Sequence, residues 1–396
     1  MADPGNILQE GGLTARLKQT IGAVLGNGIM QDTQTRNAGE AQEVARGYLL
    51  ICVFYIHAMI GVAQYMGDHA WFSLFQLKIL APNVSSYFFL SGMAAPHLAK
   101  KGLAPVLRQS LVLLLFAVVS HVVGFLIVLA GQGYATVWEA FKALVRPIVY
   151  GTGYVSFVAW FFVVLAVVRP LAYTFLRSKK AFVLLATVLA LACWATGRLH
   201  LPYNLYEWRN WPTATLFFLI GMRLPGGWKI PNWGGVLSLA LSVGLALINR
   251  ENLFSLGPCL TCDPRFVAQP MVGQYGSIFI YVIQQIAFIL FLIWGAQRSA
   301  GMMIGKVGRF FGQASLPILL LHGWVLLTLY PLIFAGMPAM ETPFLFMGIF
   351  SAAVVAHALL YAWLKVPLNW LQARIFMLSH VSWNRKRPVT RRATST

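Results

Sequence analysis

The sequence predicts an all-α fold: a polytopic membrane protein of about ten transmembrane helices, with both termini on the cytoplasmic side. Three observations lead there. Hydrophobic residues make up 58% of the 396-residue chain and charged residues only 10%, against roughly 25% charged in an ordinary soluble domain. Apolar runs long enough to cross hydrocarbon recur along the chain. The basic residues fall into alternate loops, as the positive-inside rule requires.

A window of about 19 residues gives apolar runs near 46–66, 82–98, 108–130, 154–176, 181–197, 212–222, 233–249, 273–297, 313–335 and 344–364, of which 212–222 is the shortest. With the N-terminus inside, the cytoplasmic loops and tails carry 23 of the 30 Lys and Arg residues and the opposite face carries 7. The net charge of +19 is therefore spread over alternate loops of a membrane protein. That pattern speaks against nucleic acid as a partner and for membrane lipids and an anionic cytosolic ligand. Residues 1–40 read as a polar cytoplasmic tail, in which Leu13, Leu17, Ile21, Val24 and Leu25 suit an interfacial helix. Residues 41–370 form the transmembrane domain and 371–396 a basic cytoplasmic tail.

All eleven Asp and Glu residues fall in tails, loops or helix ends. No mid-depth carboxylate is left for a metal site, a carboxylate dyad or an acid-based proton-coupled transporter. Histidine is the remaining titratable group, because His57, His121, His322 and His357 lie inside apolar runs. An imidazole buried in hydrocarbon without a partner costs several kcal/mol, on the order of a lost hydrogen bond plus desolvation. Taken alone, His121 and His357 read as packing residues that donate to a carbonyl or serine of a neighbouring helix.

His57 differs because Arg46 precedes it by eleven residues. At about 100° per residue, eleven steps return to within roughly 20° of the same helix face. At about 1.5 Å per residue the two lie roughly 16 Å apart, with Arg46 at the cytoplasmic edge and His57 near the midplane. One stripe thus runs from an anion anchor to a base. The bland alternative is an arginine that snorkels or pairs with Glu43.

Of the four cysteines, Cys52 and Cys193 lie in apolar runs, where a thiol acts as a small hydrophobe. Cys259 and Cys262 share an outward loop that offers no second ligand pair for zinc, which favours a local disulfide over free thiols.

The segment Arg46-Gly-Tyr-Leu-Leu-Ile-Cys-Val-Phe-Tyr-Ile-His57 resembles the first-helix signature of the acyltransferase family 3 integral membrane proteins. Phe88-Phe89-Leu90-Ser91-Gly92 is similar to the family's second-helix FFLSG element, and Trp160-Phe161-Phe162 to its WFL element. Ser315 to His322 resembles its late SYPIYLLH element, with Leu316 and Leu319 in place of the usual aromatic residues. The resemblance covers about residues 41 to 370.

It implies a multi-pass protein of a bacterial inner membrane that moves an acyl group, typically acetyl from acetyl-coenzyme A, onto a hydroxyl of a cell-surface glycan, an exopolysaccharide or its lipid-linked precursor. No metal is implied. Arg46, Arg169, Arg177 and Lys179, with Lys180, would hold the phosphates of the donor. His57 would act as general base. Ser91 or His322 would polarise the carbonyl or orient His57, and His121 falls at a similar depth. Helix packing is the competing role for Ser91-Gly92, a small-residue pair that lets helices approach. Two other functions compete: a transporter or flippase for a glycan or lipid-linked substrate, and a non-catalytic scaffold or sensor.

Overall fold

The computed structural model of the chain describes residues 39–63, 71–80, 84–95, 98, 102–131, 133–175, 204–224, 228–251, 257, 259, 261–270, 273–335 and 343–384. Helix accounts for 83% of them, and no strand occurs among them. In chain order the helices are α1 (Gly39–Ala63), α2 (Trp71–Leu80), α3 (Ser86–Met93), α4 (Leu103–Gly131), α5 (Val137–Tyr150) and α6 (Ala159–Phe175). After the 3-10 turn Leu205–Asn210 come α7 (Trp211–Arg223), α8 (Asn232–Ile248), α9 (Ile278–Ser299), α10 (Met303–Gln313), α11 (Ser315–Ala335) and α12 (Pro343–Asn384).

The chain is an all-α membrane protein by length and composition of its helices. Helices α1, α4, α9 and the 351–377 part of α12 are each long and apolar enough to cross a bilayer. A fifth crossing is available from α10 and α11 together, which meet at an 82° bend. Helices α6 and α8 are apolar but shorter. The expected span at 181–197 lies outside the described residues, as do Arg177, Lys179, Lys180 and Cys193.

Two elements depart from the apolar runs for local reasons. The run at 154–176 becomes helical only at Ala159. Gly151 and Gly153 hold positive φ angles of 66° and 74°, and the segment after them is tied sideways. There the Val155 N–H donates to His121 Nδ1 at 3.1 Å, and Ser156 shares a 2.7 Å bond with Ser120. The run at 313–335 is preceded by α10, whose Gly305, Gly308 and Gly312 are buried while Met303, Ile304 and Val307 are exposed. An amphipathic helix lying at a steep angle to the next one suits the membrane interface.

Small residues set the closest helix approaches. A Cβ on Gly47 of α1 would collide with the Gly308 carbonyl of α10, and one on Gly312 with the Glu43 carbonyl. Gly92 of α3 and Gly221 of α7 approach each other's helices in the same way, against the backbones of Phe218 and Phe89. Gly92 thus takes the packing role, one of the two weighed for the Ser91-Gly92 pair. These contacts place α1 against α10 and α3 against α7.

Candidate active site

Three histidines meet in the core. His57 comes from α1, His322 from α11 and His357 from α12, and the last two are fully buried. His322 Nε2 lies 2.7 Å from His57 Nδ1, and His322 Nδ1 lies 2.9 Å from His357 Nε2. The chain ends where His357 Nδ1 meets the Ala353 carbonyl oxygen at 2.6 Å.

That last contact fixes the proton pattern of a neutral chain. A carbonyl only accepts, so His357 carries its proton on Nδ1 and offers a lone pair at Nε2. His322 must then donate from Nδ1 and accept at Nε2, and His57 must donate from Nδ1. His57 Nε2 is the nitrogen left with its lone pair, a base backed by two further imidazoles.

Aromatic rings hold the chain in place. Phe54, one turn before His57, stacks on His357 with ring centres 3.9 Å apart and planes 12° apart. The edge of Phe157 meets His57 at 4.5 Å. The three imidazoles bond in series, and among the described residues no group of His, Cys, Asp or Glu is arranged to hold a metal ion.

His57 is half-buried and lines a cavity of about 440 Å³, together with Ile60, Leu77, Phe157, Trp160 and Gln269. A second cavity, of about 340 Å³, contains Arg46, Arg169, Gln109, Tyr87, Ser91 and Ser315 among its lining residues. Two of the basic residues expected to hold a donor, Arg46 and Arg169, thus share one cavity. Arg169 donates from Nη1 to Gln109 at 3.0 Å, while its buried Nε and the buried Tyr87 hydroxyl have no partner among the described residues. Buried unsatisfied donors at a cavity are what a polar ligand would satisfy. The ion pairs among the described residues are Arg265–Asp263 and Arg309–Glu40, and Glu43 accepts from Gln313 at 3.0 Å. The Glu43–Arg46 pairing considered for the sequence is not among them.

Between the cavities stands an aromatic partition. Trp160 faces the His57 cavity and Phe161 the arginine cavity. Phe88 lies 5.1 Å from Phe161 and 6.3 Å from Trp160, centre to centre.

Of the site residues expected from sequence, His57 and His322 come together and Arg46 joins Arg169. Ser91 lines the arginine cavity and not the His57 cavity. His121 is a structural pin: it bonds the Leu144 carbonyl of α5 at 3.0 Å and accepts from Val155. His357, read alone as a packing residue, closes the imidazole chain.

No protein-family model, curated protein or solved structure matches the chain.

Cys259 and Cys262 form the expected disulfide. Their loop is also held by Lys78, whose buried Nζ donates to the carbonyls of Asn249 at 2.9 Å and Pro264 at 2.7 Å.

Proposed function

We propose that this protein is a membrane acyltransferase that moves an acyl group, acetyl in the simplest case, from cytosolic acyl-coenzyme A to a hydroxyl of a surface glycan or its lipid-linked precursor. One observation carries it: a directed chain of three histidines whose terminal residue, His57, opens on a cavity across an aromatic partition from a cavity holding two arginines. The motif resemblance to acyltransferase family 3, a ten-helix layout with both termini cytoplasmic, and a bacterial inner-membrane setting belong to the same proposal.

Arg46 and Arg169 bind the anionic head of the donor through charge-assisted hydrogen bonds. The thioester arm passes the Phe88–Trp160–Phe161 partition and presents its carbonyl near His57. His57 Nε2 takes the proton of the acceptor hydroxyl as its oxygen attacks the thioester carbon. The positive charge that forms on His57 is shared with His322 through Nδ1–H and beyond it with His357. When the carbon–sulfur bond breaks, the departing thiolate takes the proton back from Nε2. Atoms and charge balance, and His57 returns to its starting state.

The test is label transfer from acetyl-coenzyme A in proteoliposomes made from cells' surface-glycan precursors, with wild-type protein and His57→Ala. Label on glycan with wild type and none with the variant is expected. Movement of unmodified glycan across the bilayer without label would instead identify a transporter, and transfer by His57→Ala at the wild-type rate would remove the base.

A further inference from the structure

A third cavity, of about 240 Å³, lies beside the His57 cavity and has a role in neither the donor contacts nor the imidazole chain. Phe157 and Trp160 line both. Its polar side is made by Thr152, Tyr154, Asn204, Glu207 and Arg209. Glu207 is 3% exposed, the most buried acid described. Its Oε1 accepts from the Thr152 hydroxyl at 2.7 Å and its Oε2 from the Asn204 amide at 2.5 Å.

The turn that delivers this carboxylate is strained. Tyr206 and Glu207 hold φ angles of 49° and 59°, and they are the only non-glycine residues with positive φ among those described. Left-handed backbone at a non-glycine residue costs on the order of 1–3 kcal/mol and persists only where the surroundings enforce it. Here the Tyr206 hydroxyl donates to the Val149 carbonyl at 3.0 Å, and the Trp211 indole donates to the Tyr206 carbonyl at 2.8 Å. Burial pushes the Glu207 carboxyl up to about 7, against the opposing pull of the Thr152 hydrogen bond and Arg209. A loop needs no such group simply to turn.

The chemistry around the cavity alternates. A carboxylate, an amide, a hydroxyl and a guanidinium supply acceptors and donors at the rim, and Phe157 and Trp160 supply apolar faces. Fixed polar groups beside flat apolar walls select a ligand with several hydroxyls on one edge and C–H groups on its faces. An anionic ligand would be opposed by Glu207, and a purely apolar one would strand the polar rim.

We propose that this cavity is a binding subsite for a polyhydroxylated ring, one monosaccharide unit of the acceptor, with Glu207 hydrogen-bonded to hydroxyls next to the one that reacts. Resting on the acyl-transfer function proposed above, it places the acceptor against Phe157 and Trp160, one ring away from His57. Glu207 is a binding residue here and takes no part in bond making.

Saturation-transfer NMR of the detergent-solubilised full-length protein with a panel of methyl glycosides tests the subsite without any acyl donor. Wild type and His57→Ala should both transfer saturation to the ring protons of at least one glycoside. Glu207→Gln should bind that glycoside about tenfold more weakly, the loss expected for one hydrogen bond to a charged group. Should Glu207→Gln not survive purification, Thr152→Val, which removes one donor from the same carboxylate, carries the comparison. No glycoside signal in wild type, signals equal to those of glycerol, or equal binding by wild type and the folded cavity variant would each overturn the proposal. Glycoside binding by a protein that transfers no acyl group would leave the subsite standing and remove the acyltransferase function.

Discussion

Replacing His322 by alanine tests the imidazole chain at its middle. The substitution removes the acceptor of the 2.7 Å bond from His57 and the donor of the 2.9 Å bond to His357. In the proposed transfer His57 becomes an imidazolium, and a hydrogen bond to a charged group is worth roughly 1.5–3 kcal/mol. At about 1.4 kcal/mol per factor of ten, kcat should fall about 10- to 150-fold. The Michaelis constant for the donor should not move, because Arg46 and Arg169 lie in the other cavity. His322→Gln can still accept from His57 through its oxygen and donate to His357 through its amide, so it should recover part of the lost rate. The assay is donor-thiol release by wild type and both variants in proteoliposomes at saturating acceptor, normalised to folded protein. Unchanged turnover in His322→Ala, or a loss confined to the donor Michaelis constant, would refute the chain as the partner of the base.

Arg46→Ala and Arg169→Ala should each raise the donor Michaelis constant about 10- to 100-fold, the value of one charge-assisted phosphate contact, as measured by initial rates against acyl-coenzyme A. A double Cys259→Ser, Cys262→Ser variant should keep its activity under oxidising and reducing conditions, since Lys78 also holds that loop to Asn249 and Pro264. Loss of most activity there would mean that the disulfide shapes the acceptor entrance. Glu207 predicts a pH dependence of stability. Its folded value, about 7, is raised above the ordinary carboxyl value of 4.5, so its favourable contribution is full below about 4.5 and is lost as pH rises through about 7. The difference is at most on the order of 3 kcal/mol. Thermal melts of wild type should fall between pH 5 and 8 more than those of Glu207→Gln, and parallel curves would show that the carboxyl titrates as if exposed.

The parts of the fold legible in the sequence are those governed by local pattern. Continuous apolar runs announced α1, α4, α9 and α12, and the eleven-residue spacing put Arg46 and His57 on one stripe leading from one cavity to the other. The Cys259–Cys262 pair was legible because four residues of one loop decide it. What escaped depends on distant segments. His357 is 35 residues from His322, and nothing in the periodicity of either helix says that they meet. Ser91 was grouped with His57 by depth alone, whereas depth leaves the side of the aromatic partition undecided. Glu207 was one more acid at a helix end until a 3-10 turn with left-handed residues carried it inside.

The end of the imidazole chain at the Ala353 carbonyl has an energetic corollary. A carbonyl takes no proton onward, so the chain is a cul-de-sac, able to spread charge but not to conduct it to either water phase. In the proposed transfer, the proton lifted from the acceptor hydroxyl leaves by the nitrogen it entered and departs on the thiol of the spent donor. No free ion is drawn from or delivered to either compartment in a completed cycle. The proposed turnover is driven by the acyl-transfer potential of the thioester alone, and vesicles whose proton and voltage gradients have been collapsed with ionophores should transfer label as fast as energised ones.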